Sequence, residues 1–242
     1  MIFQSKPVVL DNVSLCSIVR DEMMNPAGGI ERFVESHVPY VEEAVVVDTG
    51  SVDGTRQVLE EMQARYSHLK VVDIPFTGYA STRNAALKYV KTKMALILDA
   101  DELLCHKKPQ NDFKVLRDFM KENPYSSYHF FFDVISPEKI RKDSVAGHTL
   151  RLFDVSSSET PFQRELWEIC EIREDRPIFI PGANIKHFVP SKEATKAKSF
   201  NWYGSSESDM KRLIETWQRI PPSMREGFSE WKRFNPKRDD YA

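Results

Sequence analysis

Asp99-Ala100-Asp101-Glu102 follows the apolar run Met94 to Leu98. A short apolar run of this kind reads as a buried strand. Side chains alternate along an extended chain, so carboxylates at i and i+2 are expected to point the same way. Paired oxygens at a strand's end suit a hard divalent cation, and such a cation neutralises a diphosphate. The pattern points to an enzyme acting on a nucleotide-activated substrate. Asp-x-Asp alone is a weak signal, because Asp also serves turn chemistry at strand ends. Its weight comes from what precedes it.

Two upstream segments matter most. Asp48-Thr49-Gly50-Ser51-Val52-Asp53-Gly54-Thr55 follows the apolar run Ala44 to Val47. A carboxylate at Asp48 would meet the edge of an arriving ligand and could accept hydrogen bonds from a base or ribose. Asp53 is better read as a cap for the free amides of the next helix than as a ligand contact. Gly78-Tyr79-Ala80-Ser81-Thr82-Arg83-Asn84 opens a helix whose amides, with Arg83, offer positive potential to phosphate. The alternative for Arg83 is a solvated side chain on a first turn.

The elements that position these residues alternate in type. Strands are expected at Val13–Val19, Ala44–Val47, Leu69–Ile74 and Met94–Leu98. Helices are expected at Ile30–Val38, from about Thr55 to Tyr66, and from Ser81 or Thr82 to Val90. Such alternation implies a mostly parallel sheet covered on both faces, with ligands beyond the carboxyl ends of the strands. Arg20-Asp21-Glu22, Asp48-Thr49-Gly50, Pro75-Phe76-Thr77 and Asp99 to Glu102 should therefore converge at one edge. After Cys105 the pattern becomes mixed. A helix is expected at Phe113–Met120, strands at Tyr128–Ile135 and Thr149–Asp154, and another strand within Pro177–Val189. Helical segments, including Asp209–Arg219, dominate from Ser191 on.

Composition narrows the classes. The chain has 242 residues and a formal net charge of −2, which gives no electrostatic footprint for nucleic acid. No apolar run reaches the roughly 18–20 residues of a membrane span, although peripheral contact with a membrane stays open. The N-terminus lacks the pattern of a signal peptide. Cys16, Cys105 and Cys170 match no zinc or redox spacing, so buried inert thiols and a reducing, cytoplasmic compartment are expected.

Val45 to Thr55, then Arg83-Asn84, then Leu98 to Glu102 resemble, in order and spacing, the nucleotide-sugar half of family 2 glycosyltransferases. The likeness is strong over about residues 13–105. It is weaker at Arg151-Leu152-Phe153, Leu166-Trp167-Glu168 and Ile185-Lys186-His187, where it follows the lipopolysaccharide-core-type members. The chain is also similar to glycosyltransferases encoded by large algal DNA viruses, which would imply a host's cytoplasm. The family resemblance implies an α/β GT-A fold. That is a Rossmann-like, mostly parallel central sheet flanked by helices, with a smaller mixed acceptor-side sheet and C-terminal helices. It would form one domain over 1–242, with a nucleotide-sugar half at 1–105, an acceptor and catalytic half at 106–190, and a helical segment at 191–242.

The same resemblance implies roles. Asp48 would contact the base, usually uracil. Ser17, Val19 and Glu22 would line base and ribose, and Arg83 would reach base or diphosphate. Asp99 would approach the ribose or the metal, and Asp101 would ligate Mn²⁺ or Mg²⁺, with His187 a further diphosphate or metal ligand. Lys192, Lys196 and Lys198 could clamp the departing nucleotide, although a solvated basic face is the default for each. Inverting members need a base for the acceptor hydroxyl. Their His-Glu pair aligns with Trp167-Glu168, where Trp replaces His. Glu168 is the favoured base and Glu165 its competitor, and Trp167 is either a sugar platform or a core aromatic. The implied reaction moves a sugar from a nucleotide-sugar, UDP-sugars foremost, to a hydroxyl on a glycan, glycolipid or glycoprotein. Two rivals remain at this point: a nucleotidyltransferase, for which the glycine-rich loop is misplaced, and a decayed nucleotide-sugar-binding or scaffold protein.

Overall fold

A computed structural model describes residues 8–23, 29–104, 109–135, 140–145, 149–164, 169–172, 174 and 176–188. Among them the first hundred positions alternate as expected: β1 (Leu10–Val19), α1 (Ile30–His37), β2 (Val41–Asp48), α2 (Thr55–Arg65), β3 (Leu69–Asp73), α3 (Tyr79–Leu87) and β4 (Met94–Ile97). The later elements are β5 (Glu102–Leu103), α4 (Pro109–Glu122), β6 (Ser127–His129), β7 (Phe132–Ile135), β8 (Ile140–Ser144), β9 (Leu150–Asp154), β10 (Phe162–Gln163), β11 (Ile169–Cys170) and β12 (Ile185–Phe188).

The main sheet has the order β3-β2-β1-β4-β9-β6. β3, β2, β1 and β4 are parallel, and β9 lies antiparallel to β4. The chain leaves β1 toward β3 on one side and returns to β4 on the other. The crevice between the carboxyl ends of β1 and β4 is thus the switch point where such sheets bind ligands. Both faces are covered. Ala44 and Val46 of β2 face a core built with Ile30, Phe33, Leu59, Met62 and Phe113, whereas Val45 and Val47 face a second core with Ala80 and Ala86. This period-two split explains why β2 reads as continuous valine. Each fully buried aliphatic side chain contributes about 1.5–3 kcal/mol.

The second half differs from the reading of its sequence in one instructive way. Tyr128–Ile135 is not one strand. Ser127–His129 pairs with β9 in the main sheet, while Phe132–Ile135 pairs with β12 and β8 in a second, mixed sheet of order β5-β12-β7-β8. The apolar run Phe130-Phe131-Phe132 gives no sign of the change, because the crossing strand is buried in both sheets. β9 and β6 thereby extend the main sheet with residues from the second half of the chain. The Asp209–Arg219 helix and the rest of 191–242 lie outside the described residues. Cys16 and Cys170 are free thiols pushed up to about 12 by burial, in keeping with inert cysteines.

One buried side chain ties helix to site. His37, fully buried at the end of α1, donates from Nδ1 to the Phe33 carbonyl (2.7 Å). Its Nε2 accepts the Leu104 amide (2.9 Å), just past β5. This bond requires the neutral ring. Burial lowers its pKa from 6.5 to about 4, against the pull of the Phe33 carbonyl and with Arg32 adding to the shift. The unfolded chain therefore binds the extra proton first, so this contribution to stability is complete above pH 6.5 and is lost as pH falls toward 4. Urea denaturation should show stability declining across that window. His37→Gln should flatten the decline while lowering stability at neutral pH by about 1–3 kcal/mol.

Candidate active site

β1 and β2 set the first part of the site. Their register places Ser17 beside Val46 and Val19 beside Asp48. Beyond the strands, the Thr49 amide and hydroxyl both donate to the Val19 carbonyl at 3.0 Å, so the chain leaves β2 over the end of β1. Asp48 is buried, and its Oδ1 accepts the amides of Gly50 (2.9 Å) and Ser51 (2.8 Å). Gly50 takes φ 103°, a conformation that favours glycine. Asp48 Oδ2 and Ser17 Oγ are buried with no hydrogen-bond partner among the described residues. Leaving such atoms unpaired costs about 1–3 kcal/mol each, and a ligand's donors would remove that cost.

Glu22 lies buried on the loop after β1. Its neighbour Asp21, in the cluster expected just past β1, is buried and takes φ 54°. Asp21 Oδ1 accepts the Val52 amide (2.8 Å), and its own amide donates to Ser51 Oγ (3.0 Å), which fastens the β1 loop to the β2 loop. Burial pushes its carboxyl up to about 6, with the Val52 amide opposing. Asp53 does what its capping role requires: Oδ1 accepts the Thr55 amide (2.9 Å) and hydroxyl (2.6 Å) at the start of α2. Thr77 bonds Ser81 (2.9 Å) at the start of α3, so the segment after β3 serves that helix.

The Asp99 to Glu102 segment is a turn rather than an extended strand, which corrects the alternation expected of it. The Glu102 amide donates to the Asp99 carbonyl (2.9 Å), and the Asp99 amide to Glu102 Oε2 (3.0 Å). The turn forms because β4 must end and β5 must begin in a different sheet. Arg83 is buried, not solvated, and its Nη2 donates to Asp99 Oδ1 at 2.6 Å. α3 begins at Tyr79, so Arg83 projects from beyond its first turn. Arg151 supplies a second guanidinium, 2.6 Å from Glu102 Oε1 and 4.0 Å from Asp99 Oδ2. Burial opposes charge on Asp99, but Arg83 and then Arg151 overcome it and hold its carboxyl well below the usual range. Burial pushes the fully buried Glu102 up to about 7, with Arg151 opposing and Asp99 reinforcing. Arg151 was visible only as part of a matching segment, and Glu102 as one of the polar residues just past β4. Their pairing comes from β9 lying beside β4, which no local pattern announces.

His187 does join this group. β12 pairs with β5 so that His187 faces Glu102, and the Phe188 amide donates to the Asp101 carbonyl (2.9 Å). His187 Nε2 lies 4.0 Å from Asp101 Oδ1. No group of three or more His, Cys, Asp or Glu among the described residues forms a metal cage. One carboxylate and one imidazole fit instead an ion that takes its other ligands from diphosphate and water, as Mg²⁺ and Mn²⁺ do. Glu165, Trp167, Glu168, Lys192, Lys196 and Lys198 lie outside the described residues. No described helix is long and apolar enough to cross a membrane.

The profile of Glycosyl transferase family 2 matches residues 23–178. A TPR repeat-containing protein of Synechococcus elongatus is 38% identical over 92 residues, covering 38% of this chain and 21% of the relative. An uncharacterized glycosyltransferase of Rickettsia bellii is 32% identical over 104 residues, covering 43% and 33%. The chain thus spans a third or less of these two relatives. Among solved structures, S. aureus TarS 1-349 in complex with UDP-GlcNAc superposes with a TM-score of 0.55 at 15% identity, over 90% of this chain and 71% of TarS. Its complex with UDP gives 0.54. These likenesses carry the fold.

Removing one partner of a buried ion pair strands the other's charge. Arg151→Ala should cost about 3–5 kcal/mol in urea denaturation. Arg56→Ala, which breaks the exposed Arg56–Asp73 pair, should cost under about 1 kcal/mol.

Proposed function

The chain belongs to glycosyl transferase family 2, and we propose that it is a glycosyltransferase that moves a sugar from a UDP-sugar to a hydroxyl of a glycan, glycolipid or glycoprotein, with inversion at the anomeric carbon. The observation that carries this reading is the unpaired, buried pair Asp48 Oδ2 and Ser17 Oγ at the switch point. They share one edge of the sheet with the arginine-flanked Asp99 and the Asp101–His187 pair. The UDP and UDP-GlcNAc complexes of TarS support a uridine donor. Membership of the family favours this reading over the nucleotidyltransferase alternative.

In this reading Asp48 accepts a base N–H, and Ser17, Val19 and Glu22 line base and ribose. Asp99, fixed between Arg83 and Arg151, orients toward the ribose and lies beside the metal position, while Arg83 adds positive potential for the diphosphate. Asp101 and His187, with Asp99 near them, would hold Mn²⁺ or Mg²⁺. When bound, that ion would supply positive charge to the leaving diphosphate. Lys198 would add to that charge as the nucleotide departs. Glu168, or Glu165 in its place, takes the proton of the acceptor hydroxyl. The acceptor oxygen then bonds to the anomeric carbon as the bond to the diphosphate oxygen breaks, and the electron pair leaves with the UDP. Attack and departure occur on opposite faces of an oxocarbenium-like centre, so one step inverts it. The proposed location is the cytoplasm, or a host's cytoplasm for a virus-encoded chain.

Calorimetry tests the donor site. UDP should bind the wild type in a manner that depends on Mn²⁺, and Asp101→Ala should abolish the metal dependence. In Asp48→Asn, Oδ1 still accepts the Gly50 and Ser51 amides, so thermal stability should hold. The other atom becomes a donor, and UDP affinity should fall roughly 10- to 100-fold. Absence of UDP binding to the wild type would overturn the donor assignment. For the base, Glu168→Gln should lower turnover roughly 10²- to 10⁴-fold with UDP affinity intact. Full activity would pass the role to Glu165.

A further inference from the structure

A polar cluster not used above sits at the β6 side of the main sheet, where the His129 amide donates to the Ile178 carbonyl (2.7 Å) and the His129 carbonyl accepts the Ile180 amide (3.0 Å). Glu174 Oε2 accepts the Ser127 hydroxyl (2.8 Å), and Oε1 lies 2.8 Å from His129 Nε2. A carboxylate there places the neutral ring's proton on Nε2. His129 Nδ1, 2.7 Å from Thr149 Oγ1, then accepts the threonine hydroxyl. This leaves lone pairs of Glu174 and Thr149 as the unspent capacity of the cluster. Beside it, Phe131 and Phe179 stack at 4.6 Å and 27°, both half-buried. The Phe179 ring also lies 5.2 Å from the His129 ring.

Position relates this cluster to the donor site. β9 runs antiparallel to β4, with Leu152 opposite Leu96. Its first residues, after Thr149, therefore stand at the same sheet edge as Asp99. Ser127 and His129 lie on the opposite face of β6 from Tyr128, which is in the core with α1, α2 and α4. They share the face that carries Arg83. Cys170 lies within electrostatic reach of Arg151, Arg83 and Glu174 alike.

The side chains of His129 and Glu174 are only 10% and 22% exposed, and replacing hydrogen-bonded partners by apolar groups of the same shape can be nearly neutral. Half-buried phenyl rings beside hydrogen-bond acceptors match a pyranose, which has an apolar C–H face and a rim of hydroxyl donors. We propose that Phe131 and Phe179, with Glu174 and Thr149 fixed by His129 and Ser127, form a subsite for a sugar ring of the acceptor. This rests on the reading of the chain as a UDP-sugar transferase and narrows its acceptor to one presenting a pyranose.

The test uses the full chain with ring-¹³C phenylalanine, in the presence of UDP and Mn²⁺. Methyl β-glucopyranoside, methyl β-galactopyranoside, methyl α-mannopyranoside and methyl N-acetyl-β-glucosaminide are titrated separately. Phe131→Leu and Phe179→Leu assign the two ring signals. At least one glycoside should shift both signals in the wild type. Its affinity should fall about tenfold in Phe179→Ala and about tenfold in Glu174→Gln, with UDP affinity unchanged in both. If UDP binds but no glycoside moves the two signals, or Glu174→Gln leaves the affinity unchanged, the subsite is overturned. Failure of UDP to bind counts against the donor reading instead, and glycoside shifts at Phe131 and Phe179 would still support the subsite.

Discussion

Four charges in alternation hold this molecule's site together: Arg83, Asp99, Arg151 and Glu102. Each comes from a different part of the fold, namely α3, the end of β4, β9 and the start of β5. Glu102 is fully buried and is tolerable only because Arg151 and the Asp99 amide meet its two oxygens. Arg151 in turn stays near Asp99, and Asp99 is kept charged by two guanidinium groups. The turn that carries both aspartates is therefore set by electrostatic closure as much as by backbone geometry. The chemistry proposed at that turn would inherit its rigidity.

The other side of the switch point relies on a different device. There the fold spends backbone amides to fix one oxygen of Asp48 and leaves the other bare. Asp21 and Ser51 lock the two loops together around it. One end of the site is thus made of satisfied ions and the other of unsatisfied neutral and acidic acceptors. The bare acceptors match the donors of a nucleobase, whereas the ionic end, with two guanidinium groups against Asp99, Glu102 and Asp101, would take a diphosphate only with a cation beside Asp101.

Much of the first hundred residues was legible because their pattern is local. Valine runs that end in Asp, glycine-containing turns and short amphipathic helices locate the strands and the positions just past them. Asp53 could be assigned as a cap because its partner is two residues away. Asp99 and Asp101 were singled out by strand alternation, which the turn replaces. Arg151 and Glu102 could not be paired from sequence, since 49 positions separate them. The break at Phe130-Phe131 was invisible because hydrophobicity reports burial and not which sheet provides it. His187 was reached only through family likeness. Its place depends on β12 pairing with β5 and β7 at once.

The interleaving of the two sheets has an evolutionary cost. β9 and β6 follow residue 105 yet complete the main sheet, and β5 precedes it yet belongs to the second sheet. A crossover between homologous genes near residue 105 would pair each half with a stranger on both sheets. It would also separate Arg83 and Asp99 from Arg151. Whole-half recombination is therefore a poor route to new acceptors for this architecture. Diversity should accumulate instead by drift in the connections that leave the sheet edges, where neither the charge alternation nor the strand order is at stake.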